Sequence, residues 1–411
     1  MTDSYDVIVV GAALNGLAAV LALGGKRAKR PLRVLLIDAN NPQSFATNVF
    51  DGRASALTAG AARMFEVFGI WDELEPLAQA MTEIIVTDAR NAREARPVLL
   101  HFGEGDGGRP QARMIENRFM YAALLKAAQD SPAISFATGV AVAGYSFGPG
   151  LARVRLADSR EHRANLIVAA DGRKSPAREA ANIEMRGWDY DQSGIVATVS
   201  HELPHHGRAE EHFTPTGPFA ILPLPGNLSS LVWAERRADA ERILAMSDQD
   251  FLARLKLKFG DHLGEVKVMS ARHGYPLALY VARQFHATRL ALVGDAGHFL
   301  HPLAGLGFNL GLRDVAALAE CVHDAATLGL DIGAPATLER YTMWRRFDTT
   351  MTAAAMDGLN RLFANDNPML KLIRDAGLLA VNRMPTLKAM FVKEANGLGG
   401  DVPKLLRGER V

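Results

Sequence analysis

Three stretches of this chain carry residues whose types and spacing could do chemistry, and the longest is GDAGHFLHPLAGLGFNLGLRD, residues 294–314. Its glycines, Gly294, Gly305, Gly307 and Gly311, let a backbone approach something flat or anionic that a side chain would keep away. Asp295 follows the apolar run LALV, where a carboxylate can accept from a sugar-like hydroxyl. Beyond Pro302, the loop Ala304-Gly305-Leu306-Gly307 aims free N–H groups and the positive end of the next helix at one point, which is an anion site. A tight turn before a crowded helix start is the plainer account of the same loop.

The second stretch runs from Gly11 to Gly16, between the apolar run DVIVV and the helical LAAVLAL, and RVLLID then closes at Asp38. This is a βαβ unit with nearly the dinucleotide spacing: the glycines admit a pyrophosphate to a helix N-terminus, and Asp38 accepts from ribose hydroxyls. Ala13 stands where the fingerprint has its middle glycine, with a methyl group where backbone meets pyrophosphate. The third stretch, DGRKSPAR, follows the strand-like LIVAA and gathers Asp171, a turn glycine, the hydroxyl cap Ser175 and Arg178 around one crevice. A capped helix after a buried strand explains Ser175 but not Arg178. Arg53 could reach a phosphate or simply face solvent, and Asn117 sits with Glu116 in the first turn of a helix expected from Ile115. Neither His298 and His301 nor His205, His206 and His212 have carboxylates at metal-ligand spacing. His298 and His301 are read as satisfying backbone groups rather than as general bases.

The elements that must position these residues follow from the bulk pattern. At 411 residues two domains are expected, and 48% hydrophobic with 22% charged residues describes a soluble globular chain. A net charge of +1 supplies no basic excess for nucleic acid. The single cysteine, Cys321, excludes an internal disulfide and fits a reducing cytoplasm. The run VIVVGAALNGLAAVLALGG follows Asp3 and Asp6 and contains Asn15, so it reads as strand, turn and helix rather than signal peptide or membrane span. Continuous apolar runs predict parallel strands buried on both faces. Residues 51–74 read as a loop and then a helix, 82–101 as a hairpin, and 185–280 as a mostly antiparallel sheet. That sheet is expected to comprise SGIVATVS, PFAILPLP and LSSLVWAE, the helix FLARLKLKF and a polar, histidine-rich loop. From Leu338 the chain reads as helical, including LKLIRDAGLLAVNRM. The expected fold is α/β with an α+β substrate domain. A discontinuous, Rossmann-like cofactor unit takes residues 1–80, 105–183 and 281–335, the substrate unit 81–104 and 184–280, and a C-terminal helical region 336–411.

With these motifs in this order, nearly the whole chain resembles the flavin-dependent aromatic hydroxylases of the para-hydroxybenzoate hydroxylase fold. Within them, HPLAGLGFNLGLRD, RASALTAGAARMFEVFGIWDEL and DGLNRLFANDNPMLKLIRDAGL are most similar to the ubiquinone-biosynthesis hydroxylases. The resemblance implies FAD as cofactor and NAD(P)H as reductant. It puts Gly11, Ala13 and Gly16 at the pyrophosphate, Asp38 at the adenosine ribose, Arg53 at the flavin's phosphate or ribityl side, and Asp295 at the ribityl chain. It adds Gly294 and Asn117 to the cofactor contacts. Gly305, Leu306, Gly307 and Asn309 then surround the pyrimidine edge of the flavin, and Pro302 lines the reaction space. Asp171 and Arg178 belong to a motif linked with both flavin and nicotinamide binding. The implied reaction is hydroxylation of a polyprenylated phenol through a flavin hydroperoxide, with Pro302, Gly305 and Leu306 positioning the reactants and no general base assigned. Gly297 stands where the family often has alanine, and Leu306 where the ubiquinone group usually has glutamine. Two alternatives stay open: a flavin hydroxylase of a small soluble aromatic, and a non-catalytic flavin-binding assembly subunit. The C-terminal amphipathic segments suit core packing, a peripheral contact at the inner membrane face, or subunits of a biosynthetic complex.

Overall fold

A computed structural model describes residues 4–44, 50–88, 98–103, 110, 112–300, 306–363 and 399–411. The apolar run DVIVV lies in strand Ser4–Val10, which pairs in parallel with Val34–Asp38 on one side and Glu161–Ala169 on the other. Leu290–Leu292 and Ile134–Thr138 extend the parallel array outward. Strand alternation explains why these runs are apolar throughout. Val7 and Val9 enter the core that holds helices Leu14–Gly24 and Leu306–Thr327, while Ile8 and Val10 enter a second core with Val154, Leu156 and Ala177. Each such side chain, taken from water, contributes roughly 1.5–3 kcal/mol, so neither face tolerates a polar residue.

The second sheet has nine strands and is antiparallel except where Arg208–Thr214 pairs in parallel with Glu83–Asp88. Its outer face sends Ile195, Val199, Phe219, Leu231 and Trp233 against Phe251, Leu255 and Phe259 of helix Asp248–Phe259. Its inner face meets a three-stranded sheet of Ala54–Thr58, Gln79–Met81 and Ala112–Glu116, where Ala209 and Leu224 pack on Ala56, Met81 and Met114. The fold is therefore α/β, with a Rossmann-like parallel sheet, an inserted mostly antiparallel sheet and a helical C-terminal part.

Several local expectations need correction. Residues 54–58 form a strand, paired with 112–116, before the helix Ala59–Phe68 begins at its Thr58 cap. A run of small residues reads as helical alone but is recruited here by its strand partner. Ile115 and Glu116 belong to that partner strand, so the next helix starts at Asn117. The histidine-rich stretch contains the strand Arg208–Thr214. A helix at Arg237–Leu244 was not expected from sequence. The hairpin of 82–101 appears as Glu83–Asp88 paired with Val98–Phe102. The last long helix among the described residues, Pro335–Phe363, starts earlier than Leu338, and LKLIRDAGLLAVNRM lies outside the described residues.

Candidate active site

The three motifs meet because three parallel strands end side by side. The Ala170 N–H donates to the Val10 carbonyl at 2.8 Å, and the Val293 N–H to the Ala169 carbonyl at 2.9 Å. At the first strand end the chain turns through Gly11, whose φ of +104° favours glycine. A Cβ on Gly11 would overlap the Ala170 carbonyl, and one on Gly16 would overlap the Gly11 carbonyl, so both glycines set how closely turn, helix and third strand pack. Asp38 closes the turn by accepting from the Ala12 N–H at 2.6 Å and the Asn40 N–H at 2.7 Å. Ala13, the N-cap of Leu14–Gly24, is exposed and offers no side-chain acceptor to the helix's first N–H groups. That end of the helix is suited to an external anion.

The second motif clamps the third. Buried Arg178 donates to the Ala296 carbonyl at 3.0 Å and to the Arg173 carbonyl at 3.1 Å. This answers what a capped helix leaves unexplained: the guanidinium ties the 171–175 loop to the turn Gly294–Ala296. Asp171 accepts from the Ala177 N–H at 3.1 Å, its other oxygen is buried without a hydrogen-bond partner, and burial pushes its carboxyl upward. Asp295 is accessible to solvent yet ringed by dense protein, which raises its carboxyl against the pull of His298 and Arg173. A carboxylate on the floor of a cleft has this combination. Asn15, from the first turn of Leu14–Gly24, fills the space that a Cβ on Gly294 or Gly311 would need, and its Oδ1 is buried without a partner.

Below the turn lies a charge network that sequence reasoning missed. Asp314 accepts from the Gly294 N–H at 3.0 Å, contacts His298 Nε2 at 2.5 Å and pairs with Arg345 Nε at 2.7 Å. Arg345 and Arg313 both reach Asp348, at 2.5 and 2.6 Å. Burial works against the Asp314 carboxylate, but His298 and Arg345 outweigh it and hold the group below its ordinary range. His298 thus satisfies a carboxylate rather than the backbone groups expected from sequence. The partners lie 16 and 31 residues from Asp314, beyond any local periodicity.

The remaining candidates fall at the edges. Asn309 gives both ends of its amide to strand Ala54–Thr58, donating to the Ala56 carbonyl at 2.7 Å and accepting from the Thr58 N–H at 3.0 Å. Any flavin contact from Asn309 is left to its backbone. Arg53 is exposed and paired with Asp51 at 2.7 Å, while Asn117 accepts from the Ser55 hydroxyl at 2.8 Å and donates its N–H to the Arg53 carbonyl at 2.9 Å. Gly307 lies in the first turn of Leu306–Thr327, whose start at Leu306 is described without its side chain. Pro302, Gly305 and His301 lie outside the described residues.

Sequence reasoning also missed the wall facing this cradle. On the inner face of the nine-stranded sheet Val86, Glu211, Ala220, Val232 and Val196 form one row across five strands. Val86, Glu211 and Val232 are only half-buried, so this row floors a hollow. His298 and Phe299 pair with Val281 and Tyr280 of the same sheet, so the third motif passes from one sheet to the other.

The residues present fit a dinucleotide: an open helix N-terminus, a glycine cradle, the Asp38 and Asp295 carboxylates, and unpartnered buried oxygens on Asn15 and Asp171. A family model described as an FAD binding domain matches residues 4–346. The chain is 41% identical to the ubiquinone hydroxylase UbiL of Rhodospirillum rubrum, over 98% of this chain and 92% of that protein. It is 31% identical to the 3-demethoxyubiquinol 3-hydroxylase of Escherichia coli, over 96% and 98%. Among solved structures, p-nitrophenol 4-monooxygenase from Pseudomonas putida superposes with a TM-score of 0.77 at 17% identity over the full length of both chains, a likeness of fold.

Proposed function

Because the chain belongs to the FAD-binding-domain family that includes the ubiquinone hydroxylases, we propose that it hydroxylates the ring of a polyprenylated phenol in ubiquinone biosynthesis, using NAD(P)H as reductant. The observation that carries this reading is the meeting of three strand-end motifs in one cradle that faces an aliphatic hollow. FAD, when bound, supplies the activation of oxygen, and the protein supplies position and electrostatics. On this reading Gly11, Ala13 and Gly16 present the helix N-terminus to the pyrophosphate, and Asp38 uses its remaining lone pairs for the adenosine ribose. Gly294 and Asp295 hold the ribityl chain, and Arg53 and Asn117 guard its outer side. Pro302, Gly305, Leu306, Gly307 and the Asn309 backbone border the flavin ring. Asp171 and Arg178 fix the cradle from below. The cofactor unit comprises 1–80, 105–183 and 281–335, the substrate unit 81–104 and 184–280, and the C-terminal helical region 336–411.

A phenol is favoured over an aromatic acid because the described neighbours of Glu211 across the sheet are Val86, Ala220 and Val232, with no cation to hold a substrate carboxylate. A polyprenylated substrate resides in lipid, and no helix among the described residues is long and apolar enough to cross a membrane. Met343, Phe347 and Met351 lie one turn apart on Pro335–Phe363, at 71%, 72% and 55% exposure, and we assign peripheral membrane contact to this stripe. The test is direct. Purified protein should be yellow with FAD and oxidise NAD(P)H faster when a short-chain 2-prenylphenol is added, with a hydroxylated ring as product. A protein that stays colourless with added FAD, or that ignores the phenol, sinks the proposal.

A further inference from the structure

Glu211 makes none of the contacts that shape the cofactor cradle, and it lies on the inner face of the nine-stranded sheet. It occupies strand Arg208–Thr214, opposite Ala220 on one neighbour and Val86 on the other. Alternation along the strand puts it on the same face as Ala209, and Ala209 packs against Ala56 and Met114 of the three-stranded sheet. The Ala56 carbonyl is held by Asn309 at the head of Leu306–Thr327, so this face looks toward the cofactor cradle.

The surroundings of Glu211 are aliphatic. Its neighbours across the sheet are Val86, Ala220 and Val232, and the facing sheet offers Ala56, Met81 and Met114, none of which titrates. Other titratable groups on this face are Asp88, opposite Phe213 on the neighbouring strand Glu83–Asp88, and Lys267, His273 and Tyr275, which belong to strands four places away, or about 19 Å at ordinary strand spacing. Arg236 stands at the exposed end of Leu228–Arg236. Burial alone pushes the Glu211 carboxyl up to about 7. An acid kept for structure is normally paired, as Glu210 is with His212 at 3.1 Å and His262 at 2.9 Å on the outer face. Glu211 instead resembles a base tuned to the working pH.

We propose that Glu211 accepts the proton of the substrate's phenolic hydroxyl and holds the ring by that oxygen in the hollow. The phenol O–H bond breaks, its electron pair stays on the phenolic oxygen, and an O–H bond forms on the carboxylate. No oxidant is needed for this step. The phenolate pushes charge into the ring and makes it a better target for electrophilic oxygen. When the hydroxylated ring loses its displaced hydrogen as a proton, the proton on Glu211 returns to the phenolic oxygen. This assignment rests on the reading of the chain as a phenol hydroxylase.

The experiment uses FAD-loaded wild type and Glu211→Gln with 2-geranylphenol as probe, from about pH 5.5 to about 9, across the expected titration. Binding is followed through the flavin absorbance, product by mass, and flavin content is measured for each protein. In wild type both binding and hydroxylation should fall below pH 7 with a one-proton slope. In Glu211→Gln that step should vanish and hydroxylation should drop about 100-fold, the lower range for a lost general base. A substrate-side control covers a variant that does not load: the methyl ether of the probe, with no proton to give, should bind wild type without the pH step. A variant with the wild-type rate and profile, or a methyl ether showing the phenol's step, overturns the assignment while leaving the hydroxylase reading intact. A wild type that neither binds nor hydroxylates the phenol overturns that reading, and this assignment falls with it.

Discussion

Glu210 and Glu211 are consecutive in one strand, face opposite sides of the sheet, and have carboxyls displaced in opposite directions. Burial works against both, but His212 and His262 outweigh it at Glu210 and hold that group well below its ordinary range, whereas nothing offsets it at Glu211. A one-residue step thus separates a stabilising acid from a destabilising one.

The consequence for stability has a definite sign. Glu211 in the folded protein keeps its proton to about pH 7, whereas the unfolded chain releases it near the ordinary glutamate value of 4.5. The unfolded state therefore binds fewer protons between those values, and stability falls as pH rises through them. Glu211→Gln should be more thermostable than wild type at pH 8, by as much as about 3 kcal/mol from the shift in pKa, and the gap should close toward pH 5. Thermal unfolding at both pH values checks this, and an unchanged Tm at pH 8 contradicts it.

Gly16→Ala places a methyl group on the Gly11 carbonyl. The backbone there cannot retreat without moving the first helix off its turn. The variant should purify with little or no FAD, read from its visible absorbance, whereas Ala13→Gly, at an exposed position, should keep the cofactor.

Arg345 is wholly buried between Asp314 and Asp348. Arg345→Met takes one cation from each of two carboxylates, leaving Asp314 with His298 and Asp348 with Arg313, and should cost about 3–5 kcal/mol, the usual penalty for breaking a buried pair. Denaturant unfolding measures it. Because Asp314 is held below its ordinary range, its contribution is present at neutral pH and is lost as pH falls through its folded value. Asp314→Asn should therefore weaken the protein most near neutrality and flatten its response to acid.

Replacing Met343, Phe347 and Met351 together by serine removes the exposed stripe and leaves the core untouched. Co-sedimentation with anionic vesicles should drop several-fold while turnover of a short-chain phenol in detergent-free buffer holds. Equal sedimentation of both proteins would remove the assignment of this surface.

Much of this was legible beforehand because the parallel strands are buried on both faces, so DVIVV and LIVAA carry unbroken apolar runs. The glycine turns are equally local, since Gly11 and Gly294 need positive φ. What escaped depends on partners distant in sequence. Ala54–Thr58 is a strand only because 112–116 lies beside it, and Asp314 finds Arg345 only once two helices pack. Glu211 was hidden for another reason: two adjacent glutamates beside histidines read as a polar loop unless the period of two is already known. The site residues 301–305 fall outside the described part of the chain.

The third motif leaves one sheet at Leu292 and enters the other at His298, with only residues 293–297 between. That tether holds the strand end at Leu292 within about 20 Å of extended chain of the second sheet's edge at His298. New substrate preferences therefore cannot arise by sliding the two walls apart. They must come from the girth of individual side chains such as Val86 and Val232, which makes this scaffold adjustable in fine grain and rigid in outline.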